Sequence, residues 1–172
     1  MTPRVDVDGI PWPVLGAQVA VIHEGRVLVQ FRPFPPGWEL PGGHCEDGED
    51  PAVTAAREAE EETGYRIRIT HLAGVYSWYG LRTVGDVLYV GAVAGGGPRR
   101  SLEAWAIRFA APDSLPRTLF PWLRRRILDA LDVAGGAAPV HRVQPVTPYQ
   151  VAAFGTDWLR APVDALRRRR AR

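Results

Sequence analysis

Short apolar runs separated by glycine and proline punctuation dominate the chain, and this pattern predicts mostly strands. Residues 15–22 are β-rich, His23-Glu24-Gly25-Arg26 supplies a hairpin turn, and residues 27–31 form the return strand. Residues 38–40 predict a short strand that ends at Pro41. Apolar and polar positions alternate over residues 65–69, which predicts a strand. Residues 72–79 and 86–94 predict two more, joined by a turn that contains Gly80 and Arg82, and residues 104–109 another. Residues 1–13 hold three prolines and predict an irregular lead-in, while residues 112–116 predict a loop.

Two segments carry helical spacing instead. Residues 52–63 hold no glycine or proline; Asp50 is a good N-cap, and Pro51 suits the first helical position, where its missing N–H costs nothing. Gly64 is placed to end the helix in a left-handed turn. Ala52, Ala55, Ala56 and Ala59 share one face, so the helix can lie close against a sheet. Residues 121–133 predict a second amphipathic helix, with Leu123, Ile127, Leu128 and Leu131 on one side. From Gly135-Gly136 a Pro- and Val-rich linker runs to Pro148, and residues 149–154 and 158–170 predict short helices.

Composition narrows the functional classes. A chain of 172 residues with 46% apolar content is long enough for one domain with an ample core. No 18-residue apolar run and no signal-peptide pattern is present, so a cytoplasmic protein without a membrane partner is expected. A net charge of +2 is too small to argue for nucleic acid. All 21 basic residues are arginines, which excludes P-loop or Schiff-base lysine chemistry within this chain. The arginine run 167–170 is expected to be a solvated, frayed tail. Cys45 is the single cysteine, so no internal disulfide can form, and it reads as an incidental thiol.

The other face of the first helix is the anomaly. Four of the five residues from Glu58 to Glu62 are glutamates, and Glu58, Glu61 and Glu62 fall at i, i+3, i+4 on one face. Glu60 points away. Like charges at i, i+4 destabilise a helix by a few tenths of a kcal/mol, and acids near a helix C-terminus oppose the macrodipole. Arg57 relieves part of this by pairing with Glu61. A divalent cation would relieve more, and an oxygen-only cluster suits Mg²⁺ or Mn²⁺ rather than Zn²⁺. A solvated acidic face is the alternative.

The flanking residues decide between them. Gly43, five residues, Glu49, seven residues, then Arg57-Glu58-Ala59-Glu60-Glu61-Glu62-Thr63-Gly64-Tyr65 matches the Nudix box at every fixed polar and glycine position. The chain therefore resembles the Nudix hydrolases, closely over residues 43–65 and more loosely over about 14–131. The resemblance implies an α/β fold, an α/β/α sandwich with a mixed sheet and the box loop-helix. It places the family domain in residues 1–133, with 134–172 as an extension. That extension is expected to pack on the same domain; a homodimer contact or a lid are its other readings.

The resemblance also implies an activity: Mg²⁺- or Mn²⁺-dependent hydrolysis of a nucleoside diphosphate linked to another group. Glu58, Glu61 and Glu62 would ligate metal with the Gly43 carbonyl, Arg57 would hold Glu61, and Glu49 would shape the loop. Which glutamate is the general base stays open between Glu62 and Glu58. Some members add a later glutamate; Glu103 is the candidate here, and a plain surface glutamate is an equal reading. A non-catalytic Nudix domain that senses a nucleotide and acts through a partner is the alternative function.

Substrate choice lies outside the box. The stretch that marks NADH-type members is absent, and Ser77-Trp78-Tyr79-Gly80 lacks the proline of ADP-ribose members. Tyr76, Trp78 and Tyr79 could stack a base, or could equally be strand residues. Arg32 could reach a phosphate through its guanidinium fork, and Arg82 is a weaker candidate.

Overall fold

The glutamate-bearing helix lies against one face of a mixed sheet, and its position follows from how the strands before it fold. A computed structural model of the chain describes residues 1–78 and 85–145. Strands β1 (Arg4–Val7) and β2 (Ile10–His23) form a hairpin, followed by β3 (Arg26–Pro33), β4 (Pro36–Glu39) and β5 (Gly42–His44). Helix α1 (Pro51–Thr63) leads into β6 (Tyr65–Trp78), β7 (Gly85–Gly96) and β8 (Ala106–Ala110). A 3₁₀ turn at Pro112–Ser114, helix α2 (Leu123–Ala134) and β9 (Val140–Gln144) complete the described residues.

The strand order along the sheet is β4-β3-β2-β7-β6-β9, with β1 and β5 also on β2 and β8 on β3. Pairs β2–β7 and β6–β9 are parallel and the others antiparallel, so the sheet is mixed as expected. Side chains alternate across the pleat. Val19, Val21, Leu28, Val87 and Tyr89 pack with Ala55 and Ala59 of α1. Ala20, Val27, Val29, Leu88 and Val90 pack with Leu123, Ile127, Ala130 and Val133 of α2. The two helices thus cover opposite faces.

Several sequence expectations need correction. Residues 1–13 are not irregular: β1 pairs with the start of β2 across an Asp8-Gly9 turn with φ of 57° and 74°. Pro3 precedes β1, and Pro11 and Pro13 lie at the start of β2, before its pairing with β7 begins at Val14, so no ladder N–H is needed from them on that side. The segments 65–69 and 72–79 are one strand, β6, kept continuous by register shifts at Ile69/His71 and Leu72/Gly74. Pairing with β6 makes part of the linker a strand, β9. In α2, Leu128 is exposed, and the buried stripe instead includes Arg126 and Asp129. The tight turn with Gly80 and Arg82, Tyr79, and the helices expected at 149–154 and 158–170 lie outside the described residues.

Candidate active site

Local sequence sets the ends of α1. The Asp50 side chain accepts from the Ala52 N–H at 2.7 Å, Pro51 occupies the first turn, and Gly64 closes the helix at φ 80°. Ala55 and Ala59 are buried against the sheet, while Ala52 and Ala56 are only partly covered.

Strand β5 carries the loop to that acidic face. Gly43 pairs with Ala17 of β2, and its Cα is pressed against Glu58. A Cβ there would meet the Glu58 carboxyl carbon at 2.6 Å and its oxygens at 2.8 and 3.0 Å. Only glycine leaves this space to a carboxylate. The neighbouring Gly42 N–H donates to Glu62 Oε2 at 3.0 Å. The loop is thereby tied to two of the three box glutamates.

Arg57 is the cation among these acids. Its Nε and Nη2 donate to the two oxygens of Glu49 at 3.0 and 3.1 Å, a bidentate pair. Its Nη1 donates to Glu58 at 2.9 Å and lies 3.5 Å from Glu61. The expected hold on Glu61 exists, but Glu49 is the principal partner. Thr54 Oγ1 and the Glu46 N–H also donate to Glu49, at 2.7 and 3.2 Å. The Arg57 hydrogen bonds, aided by these, lower the Glu49 carboxyl to about 2.

The three box glutamates differ in surroundings. Glu61 is largely exposed, Glu58 is mostly covered, and Glu62 is buried at 7% exposure. Burial raises the Glu58 carboxyl, with Arg57 opposing and Glu61 and Glu103 adding to the rise. Glu103 therefore stands close enough for its charge to be felt at Glu58. Burial pushes Glu62 well above the usual carboxylate range, the Glu39 charge adds to this, and the Gly42 N–H opposes it. Glu60 is exposed, as expected.

Strand β3 supplies the remaining wall. Gln30 lies opposite Glu39 of β4 and Ile107 of β8, and Arg32 lies two residues further along the same face. Arg32 Nη1 donates to Glu39 at 3.2 Å and its Nε to the Phe34 carbonyl at 3.2 Å. Arg32, Glu39, Gln30 and Glu62 thus form a continuous polar row. Sequence reasoning missed Gln30 and Glu39; the signal was a polar residue on the inward period of Leu28-Gln30-Arg32.

Trp78 and Tyr76 do not serve as open stacking faces. Tyr76 is fully buried and donates to Asp129 at 3.0 Å. Trp78 is 3% exposed, and its indole N–H donates to Asp86 at 3.2 Å. The Arg126 guanidinium lies 4.5 Å from the Tyr76 ring centre and 5.4 Å from that of Trp78. It donates to Gln144, Gln18 and Asp86 at 3.1, 2.8 and 3.4 Å. Both aromatics are committed to this buried network. Burial also raises the Cys45 thiol, in keeping with an inert side chain. A shallow concavity of about 420 Å³ on the outer flank of α1, lined by Val53, Ala56, Glu60 and Ile67, contains none of the three box glutamates.

The clustered carboxylates suit a hard divalent cation, with glycine where a Cβ would exclude Glu58. Among the described residues the acids are not drawn together into a closed ligand group; Arg57 spans Glu49, Glu58 and Glu61 instead.

The comparisons with known proteins bear on the family and the fold. The NUDIX domain profile matches residues 13–131. A MutT-like protein of Streptomyces ambofaciens is 36% identical over 132 residues, covering 77% of this chain and 85% of that one. A CMP-5'-(N-acetyl-N-hydroxy-3-aminopropyl)phosphonate hydrolase of Streptomyces rubellomurinus is 42% identical over 113 residues, or 60% of this chain; the match spans about half, 55%, of that protein. An ADP-ribose pyrophosphatase of Streptococcus suis has the same fold, with a TM-score of 0.66 at 21% identity over 77% of this chain and 99% of its own. The chain belongs to the Nudix family, and it is a hydrolase acting on pyrophosphate linkages. No described helix is long and apolar enough to cross a membrane.

Proposed function

We propose that the chain hydrolyses the diphosphate linkage of a nucleoside diphosphate derivative by attack of water on phosphorus. The observation that carries this reading is the contact of Gly43 with Glu58, which brings a backbone carbonyl loop and the acidic face of α1 into one site. The names of two relatives, a CMP-phosphonate hydrolase and an ADP-ribose pyrophosphatase, support a nucleotide-linked substrate.

In this reading Glu58, Glu61, Glu62 and the Gly43 carbonyl hold Mg²⁺ or Mn²⁺. Such an ion, when bound, offsets diphosphate charge and acidifies a water. Glu49 fixes Arg57, and Arg57 in turn fixes Glu58 and Glu61, so these two keep the acids in register. Arg32 offers its guanidinium to the substrate phosphates at the edge of the polar row. Glu103, whose charge is felt at Glu58, would add a carboxylate to the same site. A lone pair of the attacking water forms the new P–O bond, a carboxylate takes one of its protons, and the electron pair of the broken P–O bond leaves with the bridging oxygen.

The test is a hydrolysis screen across NTPs, ADP-ribose, NADH, nucleotide sugars, CoA and dinucleoside polyphosphates with Mg²⁺. Release of a nucleoside monophosphate that Glu61→Gln or Glu62→Gln abolishes is the expected result. Tight binding without turnover would instead favour a nucleotide sensor.

A further inference from the structure

Gln30 is the one side chain in the polar row whose own chemistry is left incomplete. It is fully buried, and neither Nε2 nor Oε1 has a hydrogen-bond partner among the described residues. An amide offers two donors and two acceptor lone pairs. Buried amide groups without partners carry a desolvation cost that an apolar side chain of the same length would not. The position tolerates apolar company: Ile107 stands opposite on β8, and Leu28 precedes it on the same face.

What surrounds the amide identifies its missing partner. The amide lies against the Glu62 carboxylate and opposes the rise in its pKa, but falls short of hydrogen-bond geometry. Glu39 is its cross-strand neighbour. Carboxylates accept and do not donate, so they can engage Nε2 but leave Oε1 without a proton. The missing group must offer a donor hydrogen to Oε1 while sitting beside Glu62. The proposed hydrolysis requires such a group: the attacking water.

We infer that Gln30 is a positioning residue for that water, with Oε1 accepting one of its O–H bonds beside Glu62. The proton accepted in the hydrogen bond stays on the water; the other is the one a carboxylate removes. The inference rests on the hydrolase reading and adds to it a residue outside the box. Gln30 fixes the direction in which the water's lone pair points, and a misplacement of about 1 Å can cost on the order of 10²-fold in rate.

Gln30→Met removes both amide ends at nearly constant length. Melting temperatures are measured in EDTA and in Mg²⁺, and kcat and KM on the best substrate of the panel. The expected variant melts no lower than wild type in EDTA and gains less stabilisation from Mg²⁺. Its kcat falls on the order of 10²-fold with KM within about threefold. Gln30→Leu repeats the test should the thioether pack poorly. A variant with wild-type kcat and an unchanged Mg²⁺ shift would overturn the inference, leaving the amide a structural liability. Should the wild type turn over nothing, the hydrolase reading fails and this inference falls with it, whereas wild-type turnover that Gln30→Met leaves unimpaired overturns the inference alone.

Discussion

Gly43 and Glu58 compete for one volume: the Glu58 carboxyl carbon sits 2.6 Å from where a Gly43 side chain would begin. The two residues lie 15 positions apart in the sequence. Hydrogen bonds from Arg57 to both Glu49 and Glu58 keep helix and loop in this contact. Gly43→Ala is therefore expected to displace Glu58, at an overpacking cost of roughly 1–3 kcal/mol. Calorimetric titration with Mn²⁺ should show weakened binding, and hydrolysis should fall far more than stability does.

Arg57 sets a pH dependence. The Glu49 carboxyl is lowered from its ordinary 4.5 to about 2, chiefly by hydrogen bonds from Arg57. A lowered acid contributes stability that is full above the unfolded value and is lost as pH falls through the folded one. The wild type should accordingly lose this contribution between pH 4.5 and about 2. Arg57→Gln should flatten the fall in that window while lowering stability at pH 7. Urea unfolding of both proteins across the window reads the difference.

Glu62 should show the opposite sign. Its carboxyl is raised by burial and by Glu39, so its ionised form is penalised in the fold at neutral pH. Stability from such a group is gained as pH falls through the folded value, and a neutral amide should supply it at pH 7. Glu62→Gln is expected to raise the melting temperature in EDTA and to abolish turnover in Mg²⁺.

Arg126 tests the support behind the site. It is 1% exposed and donates to Gln18, Gln144 and Asp86 while stacking near Tyr76 and Trp78. Arg126→Met leaves those acceptors buried without their donor, which is expected to cost roughly 3–5 kcal/mol. Equilibrium unfolding in urea measures it.

Helix α1 was legible in the sequence because every signal for it is local. Asp50, Pro51 and Gly64 cap it, Ala55 and Ala59 pack it on the sheet, and the box spacing places its acids. The order of strands and helices followed from the same short-range patterns. Features set by distant partners were hidden. Strand β1 was masked by Pro3, Pro11 and Pro13, which lie before it and at the start of β2, and β9 exists because β6 offers it a parallel edge. Trp78 read as an available ring because nothing nearby in sequence announces Arg126 or Asp86. Leu128 fits a helical stripe by spacing, yet the helix rotates to bury Arg126 and Asp129, which find Gln18 and Arg142. The polar row from Arg32 to Glu62 joins three elements and has no contiguous signature.

The most direct test of the account is single-turnover hydrolysis in H₂¹⁸O with Mg²⁺, using the best substrate of the panel. The account predicts nucleoside monophosphate release, with one ¹⁸O incorporated into one of the phosphate products and no reaction for Glu62→Gln. An intact substrate that nevertheless binds tightly, or cleavage with no ¹⁸O in either phosphate product, would contradict it.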